Sequence, residues 1–76
     1  MSTLTQKVID AATNISGFIK ITDRSEESIT FLFKRVPSYA EQLSLQNVLD
    51  PNATDTRNVR CFICHNDGSI ELTVRT

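Results

Sequence analysis

Residues 59–75 read Val59-Arg60-Cys61-Phe62-Ile63-Cys64-His65-Asn66-Asp67-Gly68-Ser69-Ile70-Glu71-Leu72-Thr73-Val74-Arg75. Apolar and polar side chains alternate on both sides of Asp67-Gly68, a dipeptide typical of a two-residue hairpin turn. With that turn, one face carries the pairs His65–Ile70, Ile63–Leu72 and Cys61–Val74, and the other carries Cys64–Glu71, Phe62–Thr73 and Arg60–Arg75. The stretch therefore predicts a β-hairpin with one buried face.

The same alternation bears on the string Cys61-Phe62-Ile63-Cys64-His65, which has the literal form of a haem-attachment motif. An extended strand turns Cys61 and Cys64 to opposite sides, whereas haem attachment and a closed zinc site both need convergent ligands. We therefore expect reduced thiols, no bound metal and no cofactor. A metal or haem site at Cys61, Cys64 and His65 stays open as a minor alternative.

The rest of the chain supplies two helices and a second hairpin. Two sequences match the capping box that starts a helix, Thr3 with Gln6 and Ser38 with Glu41, and Pro37 ends the strand before the second helix. The predicted elements are a helix at about 4–16, strands at about 18–22 and 29–36, a short helix at about 39–49, and strands at about 59–65 and 69–75. Together they predict one small α+β domain over residues 1–76, in the order helix-strand-strand-helix-strand-strand. Its four-stranded, mainly antiparallel sheet is built from two hairpins, with the N-terminal helix packed on one face.

The pairing of the first hairpin decides which of its side chains are buried. Ile21 is predicted opposite Ile29, because a shift of one residue would pair it with Thr30. The same register gives the pairs Thr22–Ser28 and Ile19–Phe31. The inner face of the sheet is then predicted to consist of Ile19, Ile21, Ile29, Phe31, Phe33, Val59, Cys61, Ile63, Ile70, Leu72 and Val74. The helical stripe expected to cover it is Leu4, Val8, Ala11, Ala12 and Ile15.

Size and composition favour binding over catalysis. The chain has 76 residues and a net charge of −1, which allow one small core and leave little room for an enzyme cleft. A non-enzymatic adaptor, regulator or inhibitor is therefore expected. The first residues lack a basic segment followed by an apolar run, and no window reaches a membrane-spanning length, so we expect a cytoplasmic protein without membrane contact.

The outer sheet face is the predicted binding surface, with an exposed strand edge as the alternative. It carries Lys20, Lys34, Arg60 and Arg75 against Glu71, a charge of four minus one, or +3, in a chain of net charge −1. The predicted apolar side chains among these cations are Phe18, Leu32, Val36 and Phe62. The candidate binding residues are thus Lys20, Lys34, Arg60, Phe62 and Arg75.

The chemistry of this basic, partly aromatic face suits a protein partner with an acidic surface, or self-association. Nucleic acid is the second hypothesis, because one aromatic ring makes a weak platform for stacked bases. The remaining alternative is an ordinary solvated face, with Phe62 covered by the second helix or by a dimer mate.

Overall fold

The structure is a computed structural model that describes residues 3–76, apart from the side chains of Thr3 and Cys61. Its elements are α1 (Thr3–Thr13), β1 (Phe18–Arg24), β2 (Ser28–Phe33), α2 (Tyr39–Leu49), β3 (Val59–Cys64) and β4 (Ile70–Arg75). The strands form one antiparallel sheet in the order β1-β2-β4-β3. The small α+β fold predicted from the sequence is confirmed. Within the described residues, no helix is long and apolar enough to cross a membrane.

Both helices pack on the same face of the sheet. A single cluster of buried side chains joins α1, Leu45 of α2 and the inner faces of β2, β3 and β4. The buried side of α1 consists of Thr5, Val8, Ile9 and Ala12, and the buried Ile15 follows just after the helix. The predicted stripe is therefore wrong at Leu4, which is 38% exposed. Thr5 and Ile9 extend the buried side of the helix in its place.

The second capping box starts α2 as predicted. Ser38 Oγ accepts a hydrogen bond from the Glu41 backbone N–H (3.2 Å), and Glu41 Oε1 accepts one from the Ser38 N–H (2.8 Å). The strand before this helix ends at Phe33 rather than at Val36. The capping box predicted at Thr3 involves a side chain that lies outside the described residues.

The first hairpin departs from the predicted register. Ile21 lies opposite Phe31 and Phe18 opposite Phe33. The register of β1 shifts twice, between Phe18 and Lys20 and between Ile21 and Asp23. Phe18, predicted on the outer face, instead packs edge-to-face against Phe31 and Phe33, with ring centroids 6.1 and 5.9 Å apart. Ile19, predicted in the core, is 41% exposed. The observed register is favoured because a third ring joins the core, and an aromatic ring buries more apolar area than isoleucine.

The second hairpin has a longer turn than predicted. The His65 N–H donates to the Ser69 carbonyl (2.9 Å), which leaves a three-residue loop that ends at Gly68. Gly68 has a φ of +89°, the left-handed conformation that such loops require at this position. Asp67 Oδ1 accepts hydrogen bonds from the Ser69 N–H (2.9 Å) and from Ser69 Oγ (2.6 Å), and these bonds hold the loop in this form.

Further along this hairpin, β3 contains a β-bulge. Arg60 lies opposite Thr73 and Ile63 opposite Glu71, so Cys61 and Phe62 together oppose the single residue Leu72. The prediction that Ile63 is a core residue is wrong, because its side chain is 54% exposed. The predicted core position of Cys61 concerns a side chain outside the described residues.

Candidate functional site

The sheet face opposite the two helices is the open face. It is defined here by the pairing of its strands and consists of Lys20, Asp23, Ser28, Thr30, Leu32, Arg60, Ile63, Glu71, Thr73 and Arg75. Lys34 directly follows β2 and continues the alternation of Thr30 and Leu32. The core cluster and both helices lie on the other side of the sheet, so the described part of the chain has no helix on this face.

Four of the predicted binding residues are cations of the open face. Lys20, Lys34, Arg60 and Arg75 are all exposed. Among the described residues, none of the four forms an ion pair with a carboxylate. Their charges are therefore available to a ligand.

An acidic residue that the sequence reasoning placed in a loop also belongs to this face. The irregularity of β1 beside Thr22 brings Asp23 opposite Thr30. The open face thus carries four cations and two carboxylates, Asp23 and Glu71, a sum of +2 instead of the predicted +3. The face is still basic against a chain of net charge −1.

The centre of the open face is an ordered polar network. Glu71 Oε2 lies 2.7 Å from His65 Nε2, and Glu71 Oε1 accepts a hydrogen bond of 3.1 Å from the Thr22 hydroxyl. Beside it, the hydroxyl oxygens of Thr30 and Thr73 lie 2.9 Å apart. The contacts with His65 and Thr22 hold the Glu71 carboxylate in place at the centre of the face.

The aromatic member of the predicted site lies elsewhere. Phe62 is 42% exposed, but it belongs to the β3 bulge opposite the core residue Leu72, and not to the row of Arg60. Ile63 takes its place on the open face, next to Glu71 and on the same strand as Arg60. The apolar component of this face is therefore aliphatic, with Leu32 as its second member, where an aromatic one was predicted.

Of the cysteine-histidine string, the structure describes the side chains of Cys64 and His65. Cys64 is exposed and opposes Ile70, while the ring of His65 contacts Glu71. The described residues contain no group of three or more His, Cys, Asp or Glu side chains that could hold a metal ion. Because the side chain of Cys61 is not described, the Cys61/Cys64/His65 alternative stays a prediction.

A cleft opens where β3 begins and β4 ends. We call it the arginine cleft; it has a volume of about 590 Å³ and is lined by Glu27, Arg57, Asn58, Arg60, Arg75 and Thr76. Arg60 Nε donates to the Arg57 carbonyl (2.7 Å), which holds the side chain of Arg60, and its two terminal amino groups have no hydrogen-bond partner among the described residues. The cleft therefore continues the cationic open face at one end of the sheet.

Arg57 is the member of the cleft that already has a carboxylate partner. Its guanidinium contacts Asp55 at 3.1 and 3.3 Å. That hydrogen bonding lowers the pKa of the Asp55 carboxyl, and the Asp55 carboxylate raises the pKa of the Arg57 guanidinium. Arg57 is consequently less available to a ligand than Arg60 or Arg75.

A buried glutamine of α2 positions this end of the sheet. Gln46 is 2% exposed; its Oε1 accepts from the Asn58 N–H (2.7 Å) and its Nε2 donates to Asn58 Oδ1 (3.0 Å). Asn58 Nδ2 in turn donates to the Arg75 carbonyl (3.0 Å), and the Asn58 backbone carbonyl accepts from the Arg75 N–H (2.8 Å). Sequence reasoning missed Gln46, Arg57 and Asn58, because no periodic pattern marks a polar contact between a helix and a distant loop.

Comparison of the chain with protein-family models, with curated proteins and with solved structures gives no match. The open face and the arginine cleft are therefore the features of the molecule that bear on its function.

Proposed function

We propose that this protein is a small, non-enzymatic binding module that engages a protein with an acidic surface through the open face. The observation that carries the proposal is the set of four exposed cations, Lys20, Lys34, Arg60 and Arg75, without carboxylate partners among the described residues. They lie on a sheet face that neither helix covers. Such a surface attracts an acidic partner and orients it before contact.

The distribution of apolar groups supports a protein partner over a nucleic acid. Base stacking requires exposed rings, and three of the four phenylalanines, Phe18, Phe31 and Phe33, pack against one another. On the open face, Ile63 and Leu32 offer aliphatic contact instead. An aliphatic patch between cations suits a protein surface that combines acidic and apolar side chains.

The test compares two charge reversals that differ only in their position. Lys34→Glu reverses one of the four cations of the open face, and Lys7→Glu, its matched control, reverses a cation on the exposed side of α1. Binding of a fluorescent glutamate-rich peptide is measured by anisotropy for the wild type and both variants. Lys34→Glu should weaken binding by about fivefold, which corresponds to roughly 1 kcal/mol, and Lys7→Glu should have a much smaller effect. Equal effects of the two reversals would refute the open face as the binding surface.

The same titration separates the other partners. A single-stranded oligonucleotide of equal charge serves as the nucleic-acid probe, and its binding should weaken steeply with added salt. Tighter binding of this oligonucleotide than of the peptide would replace the proposal with the nucleic-acid hypothesis. Sedimentation of the protein alone tests self-association: a dimer that the Lys34→Glu substitution dissociates would make a second copy the partner.

A further inference from the structure

We propose that the arginine cleft binds a phosphoryl group carried on a side chain of the protein partner. The inference rests on the proposed function, because it names a chemical feature of the same partner. Its basis is the placement of two guanidinium groups, those of Arg60 and Arg75, in one cleft with no carboxylate bound to either among the described residues.

The strand pairing explains why these two groups are close. Arg60 lies opposite Thr73, and Arg75 is two residues further along β4 on the same face, so the two arginines occupy diagonal positions of neighbouring strands. Such positions have Cα atoms about 7–8 Å apart, within reach of long side chains. Two like charges at this spacing repel each other, and an anion between them removes the repulsion.

The number of free donors favours a phosphoryl group over a carboxylate. Arg60 uses only Nε internally, so its two terminal amino groups are available, and no described side chain occupies the donors of Arg75. One guanidinium fork already engages both oxygens of a carboxylate, so a second fork finds no oxygen of its own. A phosphoryl group has three oxygens and a charge of about −1.5 to −2, and can therefore engage two forks at once.

The surroundings of the cleft are compatible with this ligand. Arg57, which is held by Asp55, adds a third guanidinium to the lining, and Asn58, which is fixed by Gln46, adds a polar side chain. Glu27 is the one carboxylate side chain among the lining residues, and Arg57 is already paired with Asp55, so Arg60, Arg75 and Glu27 leave a side-chain charge of two minus one, or +1. A cleft of this sign attracts a phosphorylated side chain, which carries a charge of about −1.5 to −2.

The experiment uses three versions of the glutamate-rich peptide, with serine, phosphoserine or glutamate at the central position. Affinities are measured by anisotropy for the wild type, for Arg75→Gln and for the matched control Lys7→Gln. In the wild type, phosphoserine should tighten binding about tenfold over serine, and glutamate should tighten it by much less. Arg75→Gln should abolish the gain from phosphorylation while the serine peptide still binds, and Lys7→Gln should preserve the gain. A circular dichroism spectrum of each variant verifies that it is folded.

The possible results separate the two proposals. If no version of the peptide binds to the wild type, the proposed function fails, and the inference fails with it. If the serine peptide binds and phosphorylation adds nothing, or the glutamate version gains as much as the phosphoserine version, only the inference about the cleft is overturned. Inorganic phosphate should cancel the gain at an ionic strength where chloride does not, and its failure to do so would also overturn the inference. An oligonucleotide whose binding depends on Arg75 more strongly than that of the phosphopeptide would assign the cleft to nucleic-acid phosphates and overturn the protein source.

Discussion

Replacing Gln46 with leucine should destabilise the protein by about 2 kcal/mol. The side chain is 2% exposed and makes two hydrogen bonds to Asn58, at 2.7 and 3.0 Å. Leucine has a similar volume, so little cavity forms, but the Asn58 N–H loses its acceptor in a part-buried position, and such a group costs about 1–3 kcal/mol. A domain of this size has a total stability of roughly 4–11 kcal/mol, so the variant should still fold.

Thermal unfolding followed by circular dichroism provides the measurement. For a domain of this length, a loss of about 2 kcal/mol lowers Tm by about 8–16 °C. Gln6→Leu is the matched control, because Gln6 is exposed on α1 and its bond to Asp10 faces solvent. The control should change stability by less than about 0.5 kcal/mol. A Gln46→Leu variant as stable as this control would refute the argument that Gln46 holds the loop at the start of β3. Faster hydrogen exchange at the Arg75 amide, which bonds to Asn58, is the local sign expected of the variant.

Two further substitutions test the packing and the electrostatics. Phe31→Ala should cost about 3–5 kcal/mol in urea denaturation, because Phe31 is fully buried, whereas Phe62→Ala should cost much less, because its ring is 42% exposed; similar costs would show that the Phe62 ring belongs to the core. Glu41→Gln addresses pH: hydrogen bonds from the Arg35 guanidinium and then from the Ser38 N–H hold the pKa of the Glu41 carboxyl below its ordinary value of 4.5. A lowered folded-state pKa stabilises the protein above pH 4.5 and loses that effect as pH falls through the folded-state value. The urea midpoints of wild type and Glu41→Gln should therefore differ most at pH 7 and converge below pH 4.5; a constant difference would contradict the assignment.

The positions of the cations could be predicted although the strand register could not. Arg60 was predicted opposite Arg75 and lies opposite Thr73, a shift of two residues that keeps it on the same face. The longer turn contributes one residue of this shift and the β3 bulge contributes the other. Ile63 lies between these two irregularities, so it moves by one residue only and changes face.

In the first hairpin, too, the size of the register shift decides whether a residue keeps its predicted face. Ile21 shifts by two residues relative to the prediction and stays on the inner face, whereas Phe18 shifts by one and moves to the inner face, where it packs against the core. Alternation along a strand shows which residues share a face, but an extra residue leaves no mark in that pattern, because it is decided by the packing of distant side chains. The three packed phenylalanine rings are such a contact, and so is the pairing of Gln46 with Asn58.

The irregular outer strands also affect how molecules of this protein meet. β1 and β3 are the two borders of the sheet, and both contain extra residues, whereas the inner strands β2 and β4 pair without interruption. A neighbour that approached either border sideways would meet main-chain groups at uneven spacing and could not continue the sheet from one copy into the next. We therefore expect the irregular borders to disfavour growth of the sheet into fibres.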